Sequence, residues 1–573
     1  MERVNNSIKL VTARPTVEIH LLDGRVLSGP RGSTVASFLQ ILPEWNNPPI
    51  VGCIINEELR ELTYTVQMDS RVKPVTMLDA DGAMIYRRSL TFLLAAAFRE
   101  LFPAGDIEVD HSLSSGGYYC QVIGRPPLSS EELESLEHRM HLMVAADQPF
   151  TRQQVPMEDV MRYFEEKGQT DKVRLLHYRQ KSHLILYQLG KHRDYYHGYM
   201  VPSTGYIHWF ALSPMGDGFV LRFPRRHTQT EIQPLPESRR LLAVFRQYGD
   251  WLERLGIEHV GALNDAIESG RAREIILISE ALHEQQLAEI SVKIVSELQR
   301  IHVILIAGPS SSGKTTFSKR LVVQLLAQSV SPFALELDNY FLDREKTPKD
   351  EHGDYDFEAL EALDTDLLTD HIRRLVSGEE IQMPKYNFKT GKSEPGEIVK
   401  LLPGQLIILE GIHGLNPRLL PEISKEHLFR IYVSCLTQLN LDRHNRISTT
   451  DTRLIRRIVR DDRERGYNAL DTIQSWQRVR RGEQRNIFPY QDNADAMFNS
   501  ALVYELSALK SLAEPALRQL PFGTPEYIEA KRLLAFLEWF LPIDQALIPD
   551  DSIMREFVGG SILNGFKLWD RTD

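Results

Sequence analysis

Cysteine is scarce. Three residues, Cys53, Cys120 and Cys435, occur in a chain of 573, and they stand too far apart to be read as a disulfide framework or a metal cluster. Positive charge is in deficit as well: 67 Lys and Arg face 78 Asp and Glu, a formal charge of −11. That balance argues against a surface that is a nucleic-acid platform throughout and leaves room for a local basic site. No apolar run approaches the ~18 residues of a membrane span, and the opening MERVNNSIKLVTARP lacks the apolar core of a secretory signal. A reducing cytoplasm is the expected setting. What is present, 42% hydrophobic and 25% charged residues, is the composition of ordinary globular domains with ample core, and the length suggests roughly three to five of them.

The most informative stretch is HVILIAGPSSSGKTT at 302–316. A β-branched strand runs into Gly308, four residues follow, and Gly313-Lys314-Thr315 closes the pattern G-x-x-x-x-G-K-[ST]. This is a phosphate-binding loop. Small residues (Gly308, Ser310, Ser311, Ser312, Gly313) let backbone N–H groups approach phosphates, Lys314 reaches the β/γ oxygens, and the Thr315 hydroxyl ligates Mg²⁺, with Thr316 following at the start of the helix. The helix-forming run FSKRLVVQLLAQ supplies the required context, so the chain is expected to bind a nucleoside triphosphate, with ATP and Mg²⁺ as cofactors.

Around this loop, strands read at 302–307, 333–338, 405–410, 430–434 and 501–506 alternate with helices, which predicts a parallel sheet wrapped by helices. Ligands bind at the carboxyl ends of such strands. Two strands end in an acid, FALELD in Asp338 and QLIILE in Glu410, which points to metal ligation and base chemistry beside the loop. In DTRLIRRIVRDDRERG, Arg453, Arg456, Arg457 and Arg460 fall at i, i+3, i+4 and i+7 and share one helical face. Three readings stay open for that face: a solvated surface neutralised by Asp451, Asp461, Asp462 and Glu464, a lid that lowers guanidinium groups onto a triphosphate, or an RNA-binding helix.

Seven ordered motifs then make a resemblance specific: GPSSSGKTT, LELDNYF, DYDFEALEALD, MPKYNF, LEGIHGL, DTRLIRRIVRDDRERG and YQDNADAMFN. Together, over residues 302 to about 510, they resemble the uridine kinase/phosphoribulokinase family of P-loop kinases. The resemblance implies that Asp338 acts as general base on a nucleoside 5′-hydroxyl, that Thr315 and Glu410 help hold Mg²⁺ with Asp338 beside them, and that Asp356 binds the ribose hydroxyls. It further implies that Arg457, Arg460 and Arg465 contact phosphates from the lid, and that Tyr340, Tyr386 and Phe388 belong to the acceptor pocket. The departures lie on the acceptor side. Asn339-Tyr340-Phe341 reverses the family's aromatic order, Asp356-Phe357-Glu358 replaces its Asp-His-Pro, and Gly391 stands at or near the place of a base-reading histidine.

The front half has its own resemblance. Residues 15–80 read as short strands with a helix from Thr34 to Leu42 and resemble a TGS domain, a ubiquitin-like β-grasp module. Residues 81–240 resemble the second additional domain of threonyl-tRNA synthetases, the best-matching runs being RRSLTFLLAAAFRELFP and VPSTGYIHWFAL. The synthetase's histidine and Cys-His positions carry Arg88, Phe92, Ala96 and Ile207-His208-Trp209 here, so that editing and metal site has lost its chemistry. The run HRDYYHGY at 192–199 matches no ligand spacing and reads as a surface loop. The fold expected is multidomain α+β and α/β: a β-grasp domain over 1–80, an α+β domain over 81–275, a connecting helix over 276–300, a P-loop kinase-like domain over 301–520 and a helical extension over 521–573. The expected activity is ATP-dependent phosphorylation of a nucleoside, with uridine or cytidine leading. Another small alcohol, or an ATP-driven switch that binds RNA or tRNA through the front half, are the alternatives. Membrane association is not expected, and a homo-oligomer stays open.

Overall fold

The computed structural model describes residues 12, 14–113, 116–226, 228, 230–235, 239–350, 353–387 and 390–566. The chain divides into two compact units, one built from Met1–Tyr163, Lys181–Leu235 and Pro521–Ile528, the other from Phe164–Gln180, Pro236–Leu520 and Glu529–Asp573.

In the first unit, Thr16–Leu21 alternates buried and exposed residues and pairs antiparallel with Val26–Pro30 and parallel with Ser70–Thr76. Ile50–Ile55 and Glu58–Arg60 complete a five-stranded sheet. The short helix Val35–Leu39 buries Val35, Phe38 and Leu39 in the same core, and the Thr34 hydroxyl caps it by accepting from the Ser37 N–H. Ala80–Leu101 follows, a helix buried along most of its length, as its near-continuous apolar run requires. Around it stand an antiparallel four-stranded sheet (Ala211–Met215, Gly218–Arg222, Gly117–Ile123, Asp106–Leu113), a three-stranded one (His192–Asp194, His183–Leu189, Thr151–Pro156) and the helix Ser130–Ala145, opened by a Ser129/Glu132 capping box. HRDYYHGY is not a surface loop: His192–Asp194 is a strand, and Tyr195 and Tyr196 are buried.

The second unit is a parallel sheet in the order Pro332–Glu336, Leu406–Glu410, Val303–Ala307, Leu428–Ser434, Ala496–Asn499. Val303–Ala307 and Leu428–Ser434 are buried at every position, as expected of strands covered on both faces. The register sets Glu336 and Ile306 on either side of Glu410, so three carboxyl-terminal strand ends lie level. Two strand expectations are corrected. The strand at 333–338 stops at Glu336, and Asp338 lies in the 3₁₀ turn Leu337–Tyr340. The run at 501–506 is not a strand; the edge strand is Ala496–Asn499, and Glu505 opens a helix to Arg518. The long helix spans Ala272–Ser296. Among the described residues, no helix is long and apolar enough to cross a membrane.

Candidate active site at the phosphate loop

The loop leaves Val303–Ala307 and feeds the helix Lys314–Ala327. Gly308 has no room for a side chain, since a Cβ there would lie 1.9 Å from the Val433 carbonyl oxygen. Gly313 takes φ +83° at the helix start, where a β-carbon would be strained. Ser311 also has positive φ, 57°. A loop held in such conformations turns its amides inward and leaves the helix N-terminus facing the strand ends, a ready anion site.

Four groups of the expected site meet there. The Thr315 hydroxyl donates to Glu410 Oε1 at 3.0 Å. Burial pushes the Lys314 ammonium down, against the pull of Glu410 and Glu556, while the amine donates to the Pro309 carbonyl at 3.3 Å. Burial raises the Glu410 carboxyl to about 7; Lys314 pulls it down, and the charges of Glu556 and Asp338 push it up. Asp338 is exposed near the start of its turn. The surrounding protein raises its carboxyl, opposed by Lys314 and Arg465, and solvent screens these effects. A hydroxyl, an ammonium and two carboxylates thus share one strand-end edge. The residues fit a triphosphate with Mg²⁺: amides and Lys314 for phosphate oxygens, Thr315 and Glu410 for the metal, which keeps several non-protein ligands. Among the described residues, no group of three or more His, Cys, Asp or Glu forms a metal cluster by itself.

The arginines of 453–465 divide into two roles. Arg453 and Arg456 are 1% and 0% exposed, which removes the solvated-face reading for both. Arg453 pairs with Glu483 and donates to the Ser310 carbonyl at 2.9 Å; Arg456 pairs with Glu505 and donates to the Ser500 carbonyl at 2.8 Å. Their chemistry is to fix the loop. Arg457, Arg460 and Arg465 instead share the buried Asp461 carboxylate at 3.1, 2.8 and 3.7 Å, and Arg457 also donates to Ser310 Oγ at 2.9 Å. The helix Thr449–Arg460 continues into a wider turn, Asp461–Arg465, that carries the last of them.

On the acceptor side, Asp356 accepts from the Glu358 N–H at 3.2 Å and has Arg485 3.7 Å away. Tyr386 is buried on the hairpin Ile381–Asn387/Lys392–Val399, its ring 5.5 Å from Phe341. Tyr340 turns into the core, with its hydroxyl 3.1 Å from His371 Nδ1. Phe388 lies outside the described residues. Gly391 is covered by Arg344, whose guanidinium would lie about 2.9 Å from any Cβ added there.

Two acids near the loop had no sequence signal of their own, and a third had only a weak one. Glu483 accepts from the Ser310 N–H at 3.0 Å. Glu556 accepts from the Thr316 N–H and hydroxyl at 3.3 and 3.0 Å. Glu358 is raised to about 7 by burial and the charge of Glu483; only its departure from the Asp-His-Pro pattern marked it. In the first unit, Arg88 donates to the Tyr199 carbonyl at 2.6 Å, Phe92 packs against His192, Phe150 and Tyr196, Ala96 is buried, and His208 is exposed outside any strand.

Residues 303–507 match the model of the phosphoribulokinase / uridine kinase family. The N-terminal region is similar to threonine–tRNA ligases. That of Symbiobacterium thermophilum is 30% identical over 197 residues, 34% of this chain and 30% of the ligase; that of Burkholderia lata is 31% identical over 204 residues, 35% and 32%. The chain thus spans about a third of the length of these relatives. A solved structure from Bacillus stearothermophilus, described as a possible uridine kinase, aligns with 35% of this chain and 89% of its own at 19% identity and a TM-score of 0.24, too low to carry an argument.

Proposed function

We propose that the segment 301–520 is an ATP-dependent kinase module that transfers the γ-phosphoryl group to the 5′-hydroxyl of a nucleoside, uridine or cytidine being the leading acceptors. The observation that carries this reading is Asp338. It stands in the turn that follows the strand Pro332–Glu336, where the charges of Lys314 and Arg465 act on its carboxyl and its own charge acts on Glu410. A carboxylate in that place takes the hydroxyl proton as the acceptor oxygen bonds to the γ-phosphorus and the bond to the β-phosphate oxygen breaks. Lys314 and the loop amides hold the phosphates, Thr315 and Glu410 would hold Mg²⁺, and Arg457, Arg460 and Arg465 supply positive charge from the lid. Magnesium contributes neutralisation of the phosphate oxygens. Asp356 and Tyr386 line the acceptor side of this reading.

Arg344 over Gly391, in place of a base-reading histidine, favours a second acceptor class, a different small alcohol. A guanidinium offers donors only, unlike a histidine's paired donor and acceptor, so selection among acceptors would not follow the histidine's pattern. Labelled ATP offered with a panel of nucleosides and small alcohols tests both classes. The expected result is phosphorylated product with one acceptor class, lost in Asp338→Asn by a factor of about 10²–10⁴ with ATP binding retained. Slow ATP hydrolysis indifferent to every acceptor, with RNA binding that responds to ATP, would instead support the switch reading, in which the synthetase-like front half is the working part. The domain limits 1–80, 81–275, 276–300, 301–520 and 521–573, and a cytoplasmic setting, belong to the same proposal.

A further inference from the structure

The helix Lys314–Ala327 starts at Gly313 without a side-chain cap. Its first N–H groups have no intrahelical partner and favour an anion. One of them is taken. Glu556 Oε2, from the short helix Arg555–Val558, accepts from both the Thr316 N–H and the Thr316 hydroxyl. The segment around it is fastened at several points. Ser552 donates to the buried Glu280. The Ile553 Cγ2 lies 2.6 Å from where a Gly313 Cβ would be. The Arg456 guanidinium sits 4.9 Å from the Phe557 ring, and Lys319 donates to the Leu563 carbonyl at 3.0 Å. Arg463, in the wider turn that ends the lid helix, donates to the carbonyl oxygens of Phe557 and Glu556.

We propose that Ser552–Leu563 is an autoinhibitory strap: Glu556 occupies the phosphate-binding donors of Thr316 and must leave before a triphosphate can be held there. The inference rests on the reading that the loop binds a nucleotide, but not on the identity of the acceptor. One amide cannot serve two anions at full strength, and a carboxylate beside a phosphate is repelled by it. The strap also carries its own coupling to the lid, because Arg463 bonds the strap backbone from the same turn that bears Arg465. A lid drawn towards phosphates therefore pulls on the strap, and a strap in place restrains the lid.

The test is an equilibrium titration of the full chain with a fluorescent ATP analogue and Mg²⁺, wild type against Glu556→Gln, which keeps the side chain's size and removes its charge. If the strapped form holds about nine molecules in ten, the variant binds roughly tenfold tighter, since apparent affinity scales with the competent fraction. Affinity equal to or weaker than wild type overturns the strap and leaves the kinase reading standing. Absence of binding to either protein overturns the strap together with the nucleotide site. Tighter binding with no phosphoryl transfer to any acceptor supports the strap and sinks the kinase. Should thermal melting show that Glu556→Gln does not fold, amide exchange across residues 552–563 of the wild type decides: faster exchange on adding Mg²⁺ and ATP supports release, and unchanged exchange overturns it.

Discussion

Replacing Glu483 by Gln tests how the phosphate loop is held. Glu483 is 1% exposed and its carboxylate accepts from the Ser310 N–H at 3.0 Å, from Arg453 Nη1 at 3.1 Å and Arg453 Nη2, and from Arg480 Nη1 at 3.1 Å. Burial pushes its carboxyl up, yet Arg453 and Arg480 together hold it below the usual carboxylate range. The amide keeps the shape and removes the charge, so Arg453, itself 1% exposed, is left in the interior without a counterion. Breaking one side of a buried pair costs about 3–5 kcal/mol. Because Arg453 Nε also bonds the Ser310 carbonyl, the loss falls on the loop rather than on a distant surface. Amide exchange over residues 308–316 is the assay, and a local opening constant roughly a hundredfold larger corresponds to the lower end of that cost. The sign with pH follows from the lowered carboxyl: the contribution is present above the unfolded value of 4.5 and is lost as pH falls through the folded one, so wild type and variant converge in acid. Loop exchange unchanged within a factor of about three at pH 7.5 would refute the claim that this ion pair fixes the loop.

Glu410, raised to about 7, must be ionised to ligate a metal. Calorimetric Mg²⁺-ATP affinity should therefore fall as pH drops from 8 to 6, steepening towards tenfold per unit, and Glu410→Gln should flatten the profile; a flat wild-type profile contradicts the assignment. In the metal-free protein the sign is opposite, since a raised carboxyl contributes stability that is lost as pH rises through about 7, and melting at pH 6 and 8 with and without Mg²⁺ reads that difference. Gly308→Ala places a methyl 1.9 Å from the rigid Val433 carbonyl, so it should cost about 1–3 kcal/mol of overpacking and weaken ATP binding; a normal melting curve with normal ATP titration would show that the loop yields more easily than its geometry implies.

What was legible in the sequence was what local pattern encodes. Four strands of the parallel core, the loop and the helix after it follow from apolar runs, glycine spacing and turn residues that act within a few positions of one another. Elsewhere tertiary partners decided. The run 501–506 has strand-like apolar residues, yet Glu505 is buried opposite Arg456, 49 residues away in sequence, and a helix start there lets the ion pair form. HRDYYHGY looks polar and exposed by composition, but the tyrosine bodies are apolar and His192 packs 4.8 Å from Phe92, so burial wins over the polar tips. The arginine face was visible as a periodicity. Its division into arginines that fix the loop and arginines that share Asp461 was not, because Glu483 and Glu505 come from other helices.

That division also settles how charge is distributed around the candidate site. Arg453 and Arg456 each have a buried glutamate as ion-pair partner, so neither is available to neutralise a ligand. Arg457, Arg460 and Arg465 share one carboxylate, Asp461, and residues 457–465 together carry four arginines against three acids, a small positive excess. At the strand ends the balance is reversed: Glu410, Asp338 and Glu556 all act electrostatically around the single ammonium of Lys314. The site is therefore polarised, weakly positive along residues 457–465 and negative at the sheet edge. A bare polyanion is attracted by the first side and repelled by the second, whereas a polyanion that brings a divalent cation satisfies both. Burial and the charges of Glu556 and Asp338 raise the Glu410 carboxyl against the pull of Lys314, and a divalent cation beside it would lower it again.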